Sequence, residues 1–369
     1  MRKVPFFDYP KLYTSNKKDF LRIFDEVSSR GAYILQKEVV DFEKSIADFC
    51  NVKHAIGVAN ATDALEIAFL LSGIQKGDEV IMPSHTMTAS PSAVVAHGGV
   101  PILIDCDEEG LINADLIEKH ITNKTKYIMP VQLNGRTCKM EKIVALSKKY
   151  NLNIIEDSAQ GLGSTYKNKQ AGTFGLAGVF SFYPAKILGT LGDGGMIITN
   201  DDKLAEKIYQ FRDHGRNDLD CDMWGRNSRL HNLHAAFLLF QFKDFNKTVS
   251  RRRKIAQIYF EELKNCNDIK LPIFSKDSDH FDTFQNFEVL ANNRDSLKEY
   301  LSKNNIGSII QWGGKAIHQF KNLGLTDFVL PKTDAYFKKC LLLPMNLFLS
   351  DADIKFVSET IKNFYKDNV

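Results

Sequence analysis

Between residues 54 and 199 the chain alternates short, almost unbroken apolar runs with segments whose apolar residues recur at helical spacing. Residues 54–58, 79–82, 100–104, 126–129 and 153–155 are strand-length and apolar nearly throughout, whereas 39–46, 64–71 and the stretches around Ala93, Leu116 and Ile143 carry a helical period. A strand that is apolar along its whole length is buried on both faces, and strands separated by crossover helices pair in parallel. The expectation is an α/β fold: a large domain with a mostly parallel sheet sandwiched by helices. Residues 178–180 continue the strands, and 196–199, after Leu191-Gly192-Asp193-Gly194-Gly195, read as the return strand of a hairpin. Beyond a linking helix at 235–245 the rhythm loosens. A strand at 287–290 and helices at 295–301 and 351–364 suggest a smaller C-terminal α+β domain. The division is placed at 1–249, including an N-terminal arm, and 250–369.

The 369 residues are 44% hydrophobic, enough for two cores. A net charge of +3 is too slight to imply nucleic acid as a partner. The densest basic run, Arg251-Arg252-Arg253-Lys254, reads as a solvated helix face, because Ile255, Ile258 and Tyr259 follow at helical spacing. Six scattered cysteines without a CxxC pair give neither a disulfide framework nor a zinc site, and no metal is expected. No segment has the apolar length of a membrane span, and the first ten residues lack a signal-peptide core, so the cytoplasm is the expected compartment and no membrane partner is expected.

Ligands of such sheets gather beyond the carboxyl ends of the strands. Thr62, Thr86, Asp157 and Ser181 fall at such ends, and Lys186 follows Ser181 in Ser181-Phe182-Tyr183-Pro184-Ala185-Lys186. A lysine amine can hold an aldehyde cofactor as a Schiff base and then move protons, while a carboxylate can keep a pyridine nitrogen protonated. Asp157 and Lys186 at this interval point to pyridoxal phosphate. Asn60-Ala61-Thr62-Asp63 opens a helix; Thr62 or Asp63 is an ordinary helix cap, and the same free amides can hold a phosphate.

Several collinear segments carry a resemblance. They are Asn60-Ala61-Thr62-Asp63-Ala64-Leu65, Glu156-Asp157-Ser158-Ala159-Gln160-Gly161, Gly172-Thr173-Phe174-Gly175, the segment 180–186, Gly192-Asp193-Gly194-Gly195, Arg212-Asp213-His214-Gly215-Arg216 and Gly225-Arg226-Asn227-Ser228-Arg229-Leu230. Together they resemble the DegT-type nucleotide-sugar aminotransferases, which have the aspartate aminotransferase fold. The resemblance implies Lys186 and Asp157 as catalytic residues. It implies a cofactor site made of Ala61, Thr62, Asp63, Met87, Asp157, Gln160, Ser181 and Lys186, with Asn227 reaching the cofactor phosphate of a neighbouring subunit in a homodimer. Tyr183, Arg229, Trp312 and His318 are the candidate substrate contacts.

The resemblance also implies the reaction. L-glutamate would pass its amino group through pyridoxamine phosphate to the ketone of a keto-deoxysugar carried on a nucleoside diphosphate such as dTDP, with the ketone at C3 or C4. The product would be an amino sugar for surface polysaccharide, including lipopolysaccharide and its O-antigen. Sugar dehydratases of the family place histidine where Lys186 stands, which favours amination. A non-catalytic regulator of the same fold, and a lyase or desulfurase, are the other readings. The chain departs from the family at Ala61, where glycine is usual, at Met87, where an aromatic is usual, and at Gln311-Trp312-Gly313-Gly314, where His-Tyr-Pro is common. Read alone, Trp312 is equally a core residue, and His85 is a structural histidine or a base.

Overall fold

Each apolar run of the first half becomes a strand of one sheet in the computed structural model, which describes residues 2–217, 220–274 and 279–367. The sheet has seven strands in the order His54–Val58, Gly195–Thr199, Ala177–Ser181, Asn153–Asp157, Thr125–Ile128, Glu79–Pro83 and Val100–Ile104. Gly195–Thr199 runs antiparallel to both of its neighbours, and every other adjacent pair is parallel.

Side chains alternate across the sheet, so each strand feeds two cores. On one face Ile56, Val80, Ile155, Val179 and Ile197 pack against Leu65, Ala68 and Phe69 of the helix Ala61–Leu71. On the other, Ile81, Ile128 and Ile154 meet Ile143 and Leu146 of the helix Met140–Tyr150, and Ala55, Phe180 and Ile198 meet Phe42 and Ile46 of the helix Lys37–Cys50. Burial of both faces is why the strands read as continuous apolar runs. The N-terminal arm contains a helix the periodicity did not announce, Tyr9–Ser29, capped by Asp8 and seated through Phe20, Ile23 and Val27 on Ala236 and Phe237.

The linking helix differs from expectation. It is two helices, Asn232–Phe242 and Phe245–Leu263, and the second runs through residues 249 and 250 without interruption. A separate core unites Ile255, Tyr259, Phe287, Val289, Leu297, Leu341 and Ile354, and Val4 joins it from the N-terminal strand of chain. It surrounds an antiparallel sheet of Ile269–Lys270, Phe287–Ala291 and Cys340–Leu343. The basic run is not a solvated face. Arg252 is buried and donates to the carbonyls of Phe284 and Gln285, each at 3.0 Å. Arg251 pairs with Asp351 at 2.5 Å, and Arg253 lies 4.2 Å from the Phe281 ring centroid. The apolar residues after the run gave the right helix but not the loop that packs on it.

Two glycines decide how closely the turn before Ala177–Ser181 packs on the sheet. A Cβ on Gly175 would lie 2.3 Å from the Ile154 carbonyl oxygen, and one on Gly178 would lie 2.2 Å from that of Gly172. Backbone cannot yield as a flexible side chain can. Gly178→Ala is therefore expected to lower unfolding free energy by about 3 kcal/mol, read as a reduced urea midpoint with an unchanged m-value.

Candidate active site

A cavity of about 580 Å³ opens at the carboxyl edge of the sheet. The edge supplies Asn60, Thr62, Thr86, Asp157, Ser181 and Lys186, and the opposing wall comes from Gln285, Asn286, Gln311 and Trp312 with Phe6, Phe7 and Tyr9 of the N-terminal arm.

Lys186 sits in the loop between Ala177–Ser181 and Gly195–Thr199, its amide bonded to the Tyr183 carbonyl at 2.8 Å. Gln285 clamps that loop from across the cavity: its Oε1 accepts from the Ile187 amide at 2.6 Å and its Nε2 donates to the Ala185 carbonyl at 2.8 Å. Removal from water lowers the Lys186 ammonium to about 8, against the opposing pull of the Asp157 carboxylate. Asp157 is buried at the end of its strand. Its Oδ2 accepts from Ser90 Oγ at 2.6 Å and its Oδ1 from the Ala159 amide at 3.1 Å, while Ser90 also meets Thr86 Oγ1 at 2.6 Å. Ser90 and Gln285 were not found from the sequence; one is a serine in a short helix, the other a glutamine in an irregular loop, and neither type signals such a role.

The helix Ala61–Leu71 begins three residues earlier than its periodicity suggested, because Asn60 is the cap, not Thr62 or Asp63. Asn60 Oδ1 accepts from the Asp63 amide at 2.8 Å. That leaves the amides of Ala61 and Thr62 without intrahelical acceptors at the cavity rim. Asp63 does not line the cavity: its carboxylate accepts from Ser228 Oγ at 2.6 Å, on the far side of the turn. Ser181 does line it, with its Oγ 3.4 Å from the Tyr183 amide. Gly195 makes this cradle possible, since a Cβ there would lie 2.3 Å from the Asn60 carbonyl carbon.

Met87 and Tyr183 line the cavity and are about half exposed. Gln160 is oriented: its Oε1 accepts from the Asn134 amide at 2.9 Å, which leaves its amide nitrogen as the free donor. Trp312 also lines the cavity, packed edge-on to His85 with centroids 5.4 Å apart.

Besides Asp63, three expected site residues lie elsewhere. His318 is buried behind the wall, its Nδ1 2.7 Å from Ser84 Oγ and its Nε2 3.0 Å from Asp334 Oδ1, so both ring nitrogens are engaged. Arg229 is turned to Asp213 at 2.7 Å. Asn227 is exposed in the same loop and does not line this chain's cavity. His85 is buried among aromatic rings, and desolvation lowers its imidazole to about 4, which keeps it neutral and structural.

The residues present fit pyridoxal phosphate. An amine near neutrality, a fixed carboxylate, an oriented amide donor and a pair of free helix-end amides match its aldehyde, ring nitrogen, ring oxygen and phosphate.

Comparison with known proteins agrees with this geometry. The family model for the DegT/DnrJ/EryC1/StrS aminotransferase family matches residues 14–362. The chain is 37% identical over 366 residues to a dTDP-3-amino-3,6-dideoxy-alpha-D-galactopyranose transaminase of Aneurinibacillus thermoaerophilus, covering 98% of this chain and 99% of the relative. It is 35% identical over 368 residues to a pleiotropic regulatory protein of Geobacillus stearothermophilus, covering 98% and 99%. Among solved structures, DesV of S. venezuelae in complex with a ketimine intermediate superposes with a TM-score of 0.93 at 31% identity, covering 99% of each chain. The chain belongs to the DegT/DnrJ/EryC1/StrS family and is a pyridoxal-phosphate-dependent aminotransferase.

Proposed function

We propose that this enzyme moves the amino group of L-glutamate to the ketone of a keto-deoxysugar carried on a nucleoside diphosphate, dTDP in the first instance, with the ketone at C3 or C4. The observation that carries the reading is the placement of the Lys186 amine and the Asp157 carboxylate on one cavity of about 580 Å³. The Aneurinibacillus relative, a transaminase of a dTDP-linked amino sugar, supports the substrate class.

Pyridoxal phosphate, when bound, supplies an aldehyde that takes up an amino group and a ring that delocalises the electron pair left by a departing Cα proton. Lys186 Nζ takes that proton from glutamate in the first half-reaction and returns one to the sugar carbon in the second. Asp157, fixed by Ser90 and the Ala159 amide, presents its carboxylate to the ring nitrogen. The amides of Ala61 and Thr62, with Ser181, take the phosphate. Gln160 donates to the ring oxygen, and Met87 packs on the ring face. Tyr183 and Trp312 bound the sugar. We assign residues 1–249 to the cofactor-binding part and 250–369 to the smaller domain, and we place the enzyme in the cytoplasm, where its six unpaired cysteines suit a reducing environment. Its product would enter surface polysaccharide such as O-antigen.

Asn227, exposed on its own chain, fits a role across a homodimer, completing the partner's phosphate site. The name of the Geobacillus relative favours a regulatory reading, but an intact Lys186, Asp157 and phosphate cradle argue for catalysis.

Incubation of the holoenzyme with glutamate and a panel of nucleotide-linked 3-keto and 4-keto sugars should yield one amino sugar by mass spectrometry. Lys186→Ala should lower turnover by about 10³-fold or more, and full activity in that variant would overturn the mechanism. Capture of pyridoxal phosphate by the apoenzyme needs the neutral amine, so its rate should rise with pH through about 8 and level off above, as followed by absorbance. Asn227→Ala should weaken cofactor retention, and mixing it with Lys186→Ala subunits should restore partial activity if sites are shared. No recovery in verified mixed dimers would refute sharing.

A further inference from the structure

Asn134 stands in left-handed backbone, φ +57°, bonded to both Gln160 and Gln311, which line the cavity. Its side-chain amide is engaged at both ends. Nδ2 donates to Glu288 Oε2 at 2.7 Å, and Oδ1 accepts from Gln311 Nε2 at 2.7 Å and from Asn286 Nδ2 at 2.8 Å. An ionised carboxylate can only accept, so Glu288 sets the direction of the whole chain of bonds. Asn134 must turn its nitrogen to Glu288 and its oxygen to Gln311, and Gln311 must spend its nitrogen on Asn134. The free end of Gln311 is then Oε1. Gln311 lines the cavity, is 5% exposed, and its Oε1 has no hydrogen-bond partner among the described residues. A buried acceptor in that condition is unfavourable until a donor reaches it.

We propose that Glu288 is a positioning residue for substrate choice: acting through Asn134, it turns the Gln311 amide so that Oε1 accepts a hydroxyl or amino donor of the bound keto-sugar. The inference rests on the keto-sugar function argued above.

Glu288 belongs to the strand Phe287–Ala291 and is itself buried, with Tyr336 Oη donating to Oε2 at 2.9 Å and Oε1 without a partner among the described residues. Cys340 faces it from the paired strand, and a cavity of about 60 Å³ on its other side is lined by Glu108, Glu109, Arg136, Lys270 and Asp282. Arg136 is engaged by Glu109 and Asp282 and Lys270 by Glu108, and no cation among the described residues pairs with Glu288. Desolvation therefore raises its carboxyl to about 7, with the bonds from Tyr336 and Asn134 opposing. Above that pH the carboxylate holds the chain of bonds in one direction. Below it the neutral acid can donate, only the bond from Asn286 still holds the Asn134 oxygen in place, and the orientation of Gln311 loosens.

The test is the pH dependence of the holoenzyme's kinetics with a nucleotide-linked keto-sugar. The KM for the sugar should rise by about fivefold as pH falls through the Glu288 transition, a loss of the size expected for one hydrogen bond, while kcat lacks that transition. Glu288→Gln should abolish the pH dependence of KM. Tyr336→Phe removes a bond to the carboxylate and should move the transition to higher pH. A KM profile that persists in Glu288→Gln, or a midpoint unmoved in Tyr336→Phe, would overturn the proposal. Infrared difference spectra of wild type minus Glu288→Gln read the carboxyl without any sugar. A protonated band that grows as pH falls through about 7 is expected, and a band already complete at about pH 9 would overturn the positioning role, because a neutral acid fixes no direction. A titrating Glu288 in an enzyme that converts glutamate but aminates no nucleotide-linked sugar would instead overturn the substrate class.

Discussion

Parallel pairing of Asn153–Asp157 with Ala177–Ser181 is the contact on which the site depends. Its register sets Asp157 opposite Val179, so one strand ends in the carboxylate while the next continues through Ser181 to the lysine loop. The pairing is held from below by Glu156, whose side chain points away from the cavity. Buried without a cation, it accepts from Gln132 Nε2 at 2.6 Å and from the amides of Gly172, Phe174 and Gly175 at 2.8, 2.6 and 3.2 Å. Those donors offset the desolvation that pushes its carboxyl up. Adjacent acids on one strand thus do opposite work: Glu156 ties the glycine-rich turn beneath the sheet, and Asp157 faces the cavity.

The lysine loop is held from two cores. Its ends belong to the central sheet, but its middle is clamped by Gln285, which stands beside the second core. The clamp is anchored in turn by the buried guanidinium of Arg252, which donates to the carbonyls of Phe284 and Gln285. A route of hydrogen bonds therefore runs from the helix Phe245–Leu263 to the backbone on either side of Lys186. A lysine meant to capture an aldehyde and then move protons needs a placed Cα and a mobile amine. Backbone clamps supply the first, and the four-carbon stem supplies the second.

What was legible in the sequence follows from periodicity and residue chemistry. Strands buried on both faces declare themselves as apolar runs, and Asp157, Ser181 and Lys186 could be placed at strand ends because each follows such a run. Asn60 was missed as the cap because Thr62 and Asp63 are also good caps, and only the extended backbone of Asn60 and its side-chain bond to the Asp63 amide show which residue stands outside the helix. Arg252 looked solvated because a helical period locates an apolar stripe but not the loop that covers the polar side. His318 and Arg229 illustrate the same limit. Their chemistry suits a substrate, yet Asp334 with Ser84, and Asp213, are partners distant or irregular in sequence that pull them away from the cavity.

The wall opposite Lys186 is where the backbone is held outside ordinary minima. Asn134, Phe284 and Trp312 have φ of +57°, +52° and +47°. For a residue as bulky as Phe or Trp this costs about 1–3 kcal/mol and persists only where surroundings over-determine it. Arg252 holds the Phe284 carbonyl; Gln311, tethered to Asn134, and the ring contacts of Trp312 with His85 and Phe337 hold the turn that follows. All three positions lie in connections, and none lies in the seven-stranded sheet. Residues of this wall can therefore change without shifting the register that aligns Asp157 with the lysine loop. The departures at Gln311, Trp312, Gly313 and Gly314 fall on that wall, while the segments from Asn60 to Leu65 and from Glu156 to Gly195 supply the edge. The edge that carries Asp157 and Lys186 is thus built on the part of the molecule least able to move, and the facing wall on the part whose geometry depends on a few polar tethers.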